Sequence, residues 1–186
     1  VCASLVRGLT GIDPRVLLRK MREPMLVAFS TSSSGATLPV TLRTVEHRIG
    51  VNNNVAAFAV PLGATINMDG TAIMQGVATV FIAQFFGYQL GVDALLMVVL
   101  TATLASIGTA AVPGVGLITL TLVLDQVGLP VEGIGLIIGV DRLLDMLRTV
   151  VNVTGDGTVA TIVAKTEGQL DLETLQNPTA GAVAET

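Results

Sequence analysis

The chain has 186 residues, 51% of them hydrophobic and 13% charged, with a formal net charge of −4 and a mean hydropathy of +0.75. Soluble domains carry roughly 25% charged residues, so this composition argues against an aqueous globule and for a lipid bilayer; no nucleic-acid partner is expected. The single Cys2 excludes an internal disulfide framework, and no Cys/His pair has metal-ligand spacing.

The chain opens at Val1 with no basic-apolar-small leader pattern, and it is read as a piece of a longer protein. The first predicted element is a helical hairpin at about 25–42, two apolar arms around Ser32, Ser33, Ser34 and Gly35, with Pro39 beyond. Serine and glycine backbone at membrane depth is tolerated only where it is buried in protein or lines a cavity.

A membrane crossing follows at about 55–86, interrupted by the single charge Asp69. Its core, GATINMDGT, aligns Gly63, Asn67 and Thr71 on one helical face, with Asp69 turned to another. Gly70 is a poor helix former, so the Asn-Met-Asp-Gly segment is expected to unwind and free carbonyls for a cation. The stretch 94–124 carries no charge and is broken by Gly108, Pro113, Gly114 and Gly116, which predicts a second re-entrant hairpin.

A last crossing is expected at about 134–164. Within it, Asp141, Asp145, Arg148, Asn152 and Asp156 fall within about 60° of one another at roughly 100° per residue, on a helix otherwise built of Leu, Met and Val. Each charge at bilayer depth costs about 2.5–3.5 kcal/mol on insertion scales, so such a stripe marks a substrate or ion pathway. Residues 166–186 form a polar tail that is expected to be solvated.

Arg7, Arg15, Arg19, Lys20, Arg22, Arg43 and Arg48 precede the first crossing, whereas residues 87–132 contain no base. The positive-inside rule makes the first set cytoplasmic, so the two hairpins enter from opposite faces. SSSGATLP at 32–39 and SIGTAAVP at 106–113 repeat the same plan, Ser first and Pro last. Together these features describe an inverted repeat with its site near the midplane.

The oxygen donors of Asp156, Asn152, Asn67 and the Gly63 carbonyl suit a hard cation, with Na⁺ the economical choice. The plainer reading is that Asn67 and Asn152 are interhelical hydrogen-bond partners. Arg148 is the candidate anion reader, and Asp145, one turn earlier, a holder for an ammonium group. A self-contained Asp145–Arg148 ion pair is the competing reading. Tip residues Ser33, Ser34, Thr109 and Val112 are candidates for a second carboxylate, against the simpler role of small residues in close packing.

The four motifs SSSGATLP, GATINMDGT, SIGTAAVPG and DRLLDMLRTVVNVTGD, in this order over about residues 11–168, resemble the dicarboxylate/amino acid:cation symporters, the glutamate transporters. That family itself supplies a type example of the inverted-repeat plan. The resemblance implies an all-α membrane fold: two re-entrant hairpins and two broken transmembrane helices, the bulk of a moving transport domain over residues 1–165. It further implies preceding scaffold helices absent from this chain, a homotrimer, and a multi-pass position in the cell (inner) membrane. By motif position, substrate contacts would fall on Ser33, Ser34, Thr71, Val112, Asp145, Arg148, Thr149 and Asn152. Sodium sites would fall on Gly63, Asn67, Asn152 and Asp156; on Thr65, Ser106, Ile107 and Thr109; and on Asp69, whose other ligands belong to a missing helix. Neutral-amino-acid members lack the Arg148 counterpart and dicarboxylate members the Asp145 carboxylate, so glutamate or aspartate is the implied substrate. Both other substrate classes stand as alternatives within the family.

An intramembrane aspartyl protease using Asp69 and Asp156 is the rival enzyme reading. It is disfavoured because Thr154, not Gly, precedes Gly155-Asp156, and because a nearby Arg148 would keep both carboxylates ionised. His47 lies in the basic segment, apart from Ser34 in sequence, which argues against a serine protease.

Overall fold

The computed structural model describes residues 2–107 and 109–181. Among them there is no strand, only an isolated bridge between Val51 and Leu170. The helices are α1 (Cys2–Thr10), α2 (Pro14–Lys20), α3 (Arg22–Thr31), α4 (Ser34–Thr44), α5 (Asn53–Ile66), α6 (Asp69–Phe85), α7 (Val92–Ser106), α8 (Val115–Gln126), α9 (Ile138–Thr166) and α10 (Leu172–Gln176). A π-helical turn, Val45–Ile49, extends α4, and a 3₁₀ turn, Val131–Leu136, leads into α9.

Each interruption has a local cause. The chain leaves α3 through Ser32 in the left-handed region (φ 53°), after which the Ser33 hydroxyl caps α4 by accepting the Ala36 N–H at 3.1 Å. Asn67 and Met68, at ψ 67° and 53°, separate α5 from α6, at the position where the sequence predicts unwinding. Pro113 and a left-handed Gly114 (φ 79°) set the start of α8.

Two apolar clusters form. One gathers Val6, Leu17, Met21, Ile49, Val60, Val153 and Ala160, the other Met74, Ile82, Val98, Leu120, Val123 and Leu124. α9 packs against α1, α3, α4 and α5 on one side and α6 and α8 on the other, which carries its polar stripe between the clusters. Large apolar side chains instead populate the exterior, with Phe58 70% exposed, Ile118 69% and Leu96 64%. A charged stripe buried between apolar clusters, with large apolar side chains outside, is the reverse of a water-soluble domain's surface.

No helix among the described residues is long and apolar enough to cross a membrane by itself. α5 and α6 are short because of the break at Asn67–Met68, and α9, at 29 residues, carries the charged stripe. The expectation that this last helix is broken is corrected: α9 runs without interruption. Gly155 and Gly157 weaken a helix but cannot break one already held by packing, and they face the Asn67 amide and the Met21 side chain.

Most of the segment after α9, over residues 167–181, is exposed, but it is held to the body. Leu175 is buried in the first apolar cluster, and the Lys20 ammonium, itself only 4% exposed, donates to the carbonyls of Arg48, Thr174 and Asn177. The polar composition of the tail conceals one anchoring leucine.

Candidate functional site

The stripe on α9 is buried along its length, with Asp145, Arg148, Asn152 and Asp156 all 5% exposed or less. Arg148 Nε donates to Asp145 Oδ1 at 2.8 Å, and Asp145 Oδ2 accepts the Gly114 N–H at 2.7 Å. One carboxylate thus ties the guanidinium to the tip between α7 and α8. Thr149 Oγ1 is spent on the Asp145 carbonyl.

The outer half of the guanidinium is different. Nη1 and Nη2 are buried and have no hydrogen-bond partner among the described residues, and Asp141 Oδ1, 3.9 Å from Nη1, is equally unpartnered. Buried donors left without acceptors each cost about 1–3 kcal/mol, so the fork is poised for an anion that accepts two parallel bonds.

Ser32, Ser34, Met68, Thr71, Ala110, Ala111, Val112, Val115, Asp145, Arg148, Thr149 and Asn152 enclose a small cavity. It measures ≈ 10 Å³, room for about one water molecule. Of the substrate contacts named from sequence, Ser34, Thr71, Val112, Asp145, Arg148, Thr149 and Asn152 all border it. Ser33 does not; its hydroxyl donates to the Ala111 carbonyl at 2.7 Å, and the Gly35 N–H reaches the same oxygen at 3.2 Å. The tips of the two helix pairs therefore touch. Two roomier grooves, ≈ 640 Å³ each, run along α6 between apolar walls on the exterior.

A second group lies further along α9. Asn152 Oδ1 accepts the Gly70 N–H at 2.8 Å and its amide donates to Thr71 Oγ1 at 3.3 Å, docking the start of α6 on α9. Asn67 Nδ2 donates to Asp156 Oδ1 at 3.0 Å. Close approach depends on missing side chains: a Cβ on Gly63 would stand 2.6 Å from Asp156 Oδ1, and one on Gly70 would overlap the Arg148 carbonyl. Asp156, Asn67 and the Gly63 backbone lie together as the sequence expects, but here they are bonded to one another: the Asn67 amide nitrogen faces Asp156, and the Gly63 carbonyl accepts the Asn67 N–H at 2.8 Å, so a hard cation would have to replace these bonds. Among the described residues no group of three or more His, Cys, Asp or Glu is arranged for a metal.

The remaining cation residues are not drawn together. Thr65 is exposed and its hydroxyl bonds the Leu62 carbonyl; Ser106 and Thr109 bond Thr103 and Ala105 within their own segment; Ile107 is 50% exposed. Hydroxyls satisfied by nearby backbone have no need of a distant partner. Asp69 is exposed at the first position of α6. Gly108, expected to help hinge the second hairpin, lies outside the described residues.

The sequence profile of the sodium:dicarboxylate symporter family matches residues 1–166. The chain belongs to that family. Among its relatives, an excitatory amino acid transporter of Caenorhabditis elegans is 50% identical over 154 residues, covering 83% of this chain and 31% of the relative. Mouse excitatory amino acid transporter 5 is 44% identical over 174 residues, 88% of this chain and 31% of the relative. Human excitatory amino acid transporter 2 is 51% identical over 138 residues, 74% and 24%. The chain thus spans about a third of the length of the curated relatives it matches.

Membership of a symporter family sets the protease reading aside, and the geometry agrees, since Asp156 is buried on Asn67 while Asp69 is exposed. Two features of this site escape a reading of the sequence. Ser32, the left-handed residue, presents to the cavity a buried hydroxyl without a partner among the described residues; its signal is the triple serine itself. Gly116 lies against the Arg148 guanidinium, a contact between segments distant in sequence that no local pattern announces.

Proposed function

We propose that this chain is the substrate-handling part of a symporter that carries an acidic amino acid, glutamate or aspartate, with Na⁺ by alternating access. The observation that carries the reading is Arg148, whose Nε is held by Asp145 while Nη1 and Nη2, with Asp141 no nearer than 3.9 Å, stay buried without a hydrogen-bond acceptor among the described residues. A fork anchored on one side and unsatisfied on the other suits the side-chain carboxylate of the substrate. Asp145 then serves the substrate's other end. Its Oδ2 takes the ammonium in exchange for the Gly114 amide, so that binding and movement of the α7–α8 tip are one event.

Na⁺ enters as co-substrate at Asp156 and Asn67, whose helix break also supports α6 against Asn152 and hence the cavity wall. The polar interior and apolar exterior support a membrane setting, specifically the cell (inner) membrane, in which residues 25–42 and 94–124 act as re-entrant hairpins. Residues 1–165 act as one transport domain with 166–186 on the cytoplasmic side. Scaffold helices and a homotrimer complete the assembly. A C4-dicarboxylate substrate would leave Asp145 without an ammonium partner, and a neutral one would leave the Arg148 fork unused.

The test is uptake by the full-length protein carrying this chain, reconstituted in liposomes, with labelled glutamate, aspartate, succinate and serine under imposed gradients. Saturable uptake of the acidic amino acids that requires an inward Na⁺ gradient is expected. Preference for succinate or serine, or uptake driven by a proton gradient alone, contradicts the reading.

A further inference from the structure

Gly116 sits in the first turn of α8, and a Cβ built on it would overlap Arg148 Nη1, with Cζ at 2.5 Å and Nη2 at 3.0 Å. Its backbone does not require glycine, because the positive φ at this tip belongs to Gly114. Inside a helix glycine is less favourable than alanine, so nothing local recommends it here. What a side chain at 116 would have to displace is the guanidinium, the movable end of Arg148. Arg148 is in effect set between two glycines, with Gly70 against its carbonyl and Gly116 against its fork.

Resting on the reading of Arg148 as the carboxylate reader, we propose that Gly116 is a positioning residue that fixes where the Arg148 fork lies, and so sets the preference for acidic over neutral side chains. The Asp145 bond pins Nε, so the fork has a single remaining freedom, to pivot about that bond. It lies close against the bare Cα of Gly116 at the start of α8, where Arg148 also borders the cavity. A methyl group there forces the pivot toward the cavity, misaligns the two donors for a carboxylate and leaves Asp145 in place. Because the effect passes through the guanidinium, it vanishes when the guanidinium is removed.

The experiment is a double-mutant cycle in the full-length protein. Calorimetry at saturating Na⁺ measures aspartate and serine binding by the parent, Gly116→Ala, Arg148→Cys and the double variant. Gly116→Ala is expected to weaken aspartate binding about 10- to 100-fold. In the Arg148→Cys background, serine binding with and without Gly116→Ala should agree within about twofold, which also shows that the hairpin folds with alanine at 116. Aspartate affinity within about twofold of the parent in Gly116→Ala overturns the proposal. So does a double variant that loses the serine binding of Arg148→Cys, since Gly116 would then serve the hairpin alone. A parent that binds no aspartate removes the functional reading itself, and this inference with it.

Discussion

The Ser33 hydroxyl donates a 2.7 Å hydrogen bond to the Ala111 carbonyl, which joins the tip between α3 and α4 to the tip between α7 and α8. With the ≈ 10 Å³ cavity directly behind them, the tips must part before an amino acid enters. The α7–α8 tip is the one expected to lift, as a lid on the outward side. In a Cys2→Ser background, a cysteine at the exposed Ala110 should react readily with a membrane-impermeant thiol reagent, and Na⁺ plus substrate should protect it. Equal labelling with and without ligand contradicts a lid at this tip.

Asp156 and Asn67 are expected to control the cation. Asp156→Asn keeps the shape and removes the charge, so the Na⁺ concentration for half-maximal substrate binding should rise at least about 10-fold. Linkage makes the coupling reciprocal, so saturating Na⁺ must tighten substrate binding in the parent. Calorimetric titration checks both. Substrate affinity that ignores Na⁺ removes the ion from the account.

Lys20 should matter for stability rather than transport selectivity. Its ammonium donates to three carbonyls, two of them in the tail segment, and no other described group replaces it there. Lys20→Met should cost about 1.5–3 kcal/mol and expose residues 169–181 to proteolysis. Unchanged unfolding and cleavage would mean that Leu175 alone holds the segment.

The docked tail should also respond to acid. A hydrogen bond from the Thr174 hydroxyl, joined by the Thr174 and Glu173 amides, holds the Asp171 carboxyl below the usual carboxylate range. A depressed folded pKa gives stabilisation that is complete above the unfolded value of about 3.9 and is lost as pH falls through the folded one. Amide exchange across α10 should therefore accelerate below about pH 4, and Asp171→Ala should be fast throughout and flat with pH. Parent protection that persists to about pH 2 contradicts the cap's role.

The stripe from Asp141 to Asp156 is legible in the sequence because helical periodicity needs no tertiary knowledge, and the break at Asn67–Met68 because Gly70, with Asn67 and Asp69 beside it, opposes a helix. Continuity of α9 is not legible: the resemblance implies a broken helix, whereas Gly155 and Gly157 sit within α9 with Asn67 and Met21 packed on them. The anchoring of the tail is not legible, because it rests on Leu175 and on a lysine at the other end of the chain. The second set of cation residues follows from a motif, whereas Ser106 and Thr109 settle on their own backbone. Gly116 shows the same limit, since what it accommodates comes from α9.

The most direct test of the account is the substrate panel of Arg148→Cys in the full-length protein under a Na⁺ gradient. Stripping one partner from a buried charge pair costs about 3–5 kcal/mol, roughly 10²- to 10⁴-fold in affinity, so glutamate and aspartate uptake should be lost. Serine, alanine or cysteine should gain affinity in the same variant, because the guanidinium fork whose outer donors an uncharged side chain cannot satisfy is gone. Glutamate or aspartate uptake at near-parent affinity in Arg148→Cys would reduce Arg148 to the structural partner of Asp145 and contradict the proposed substrate class.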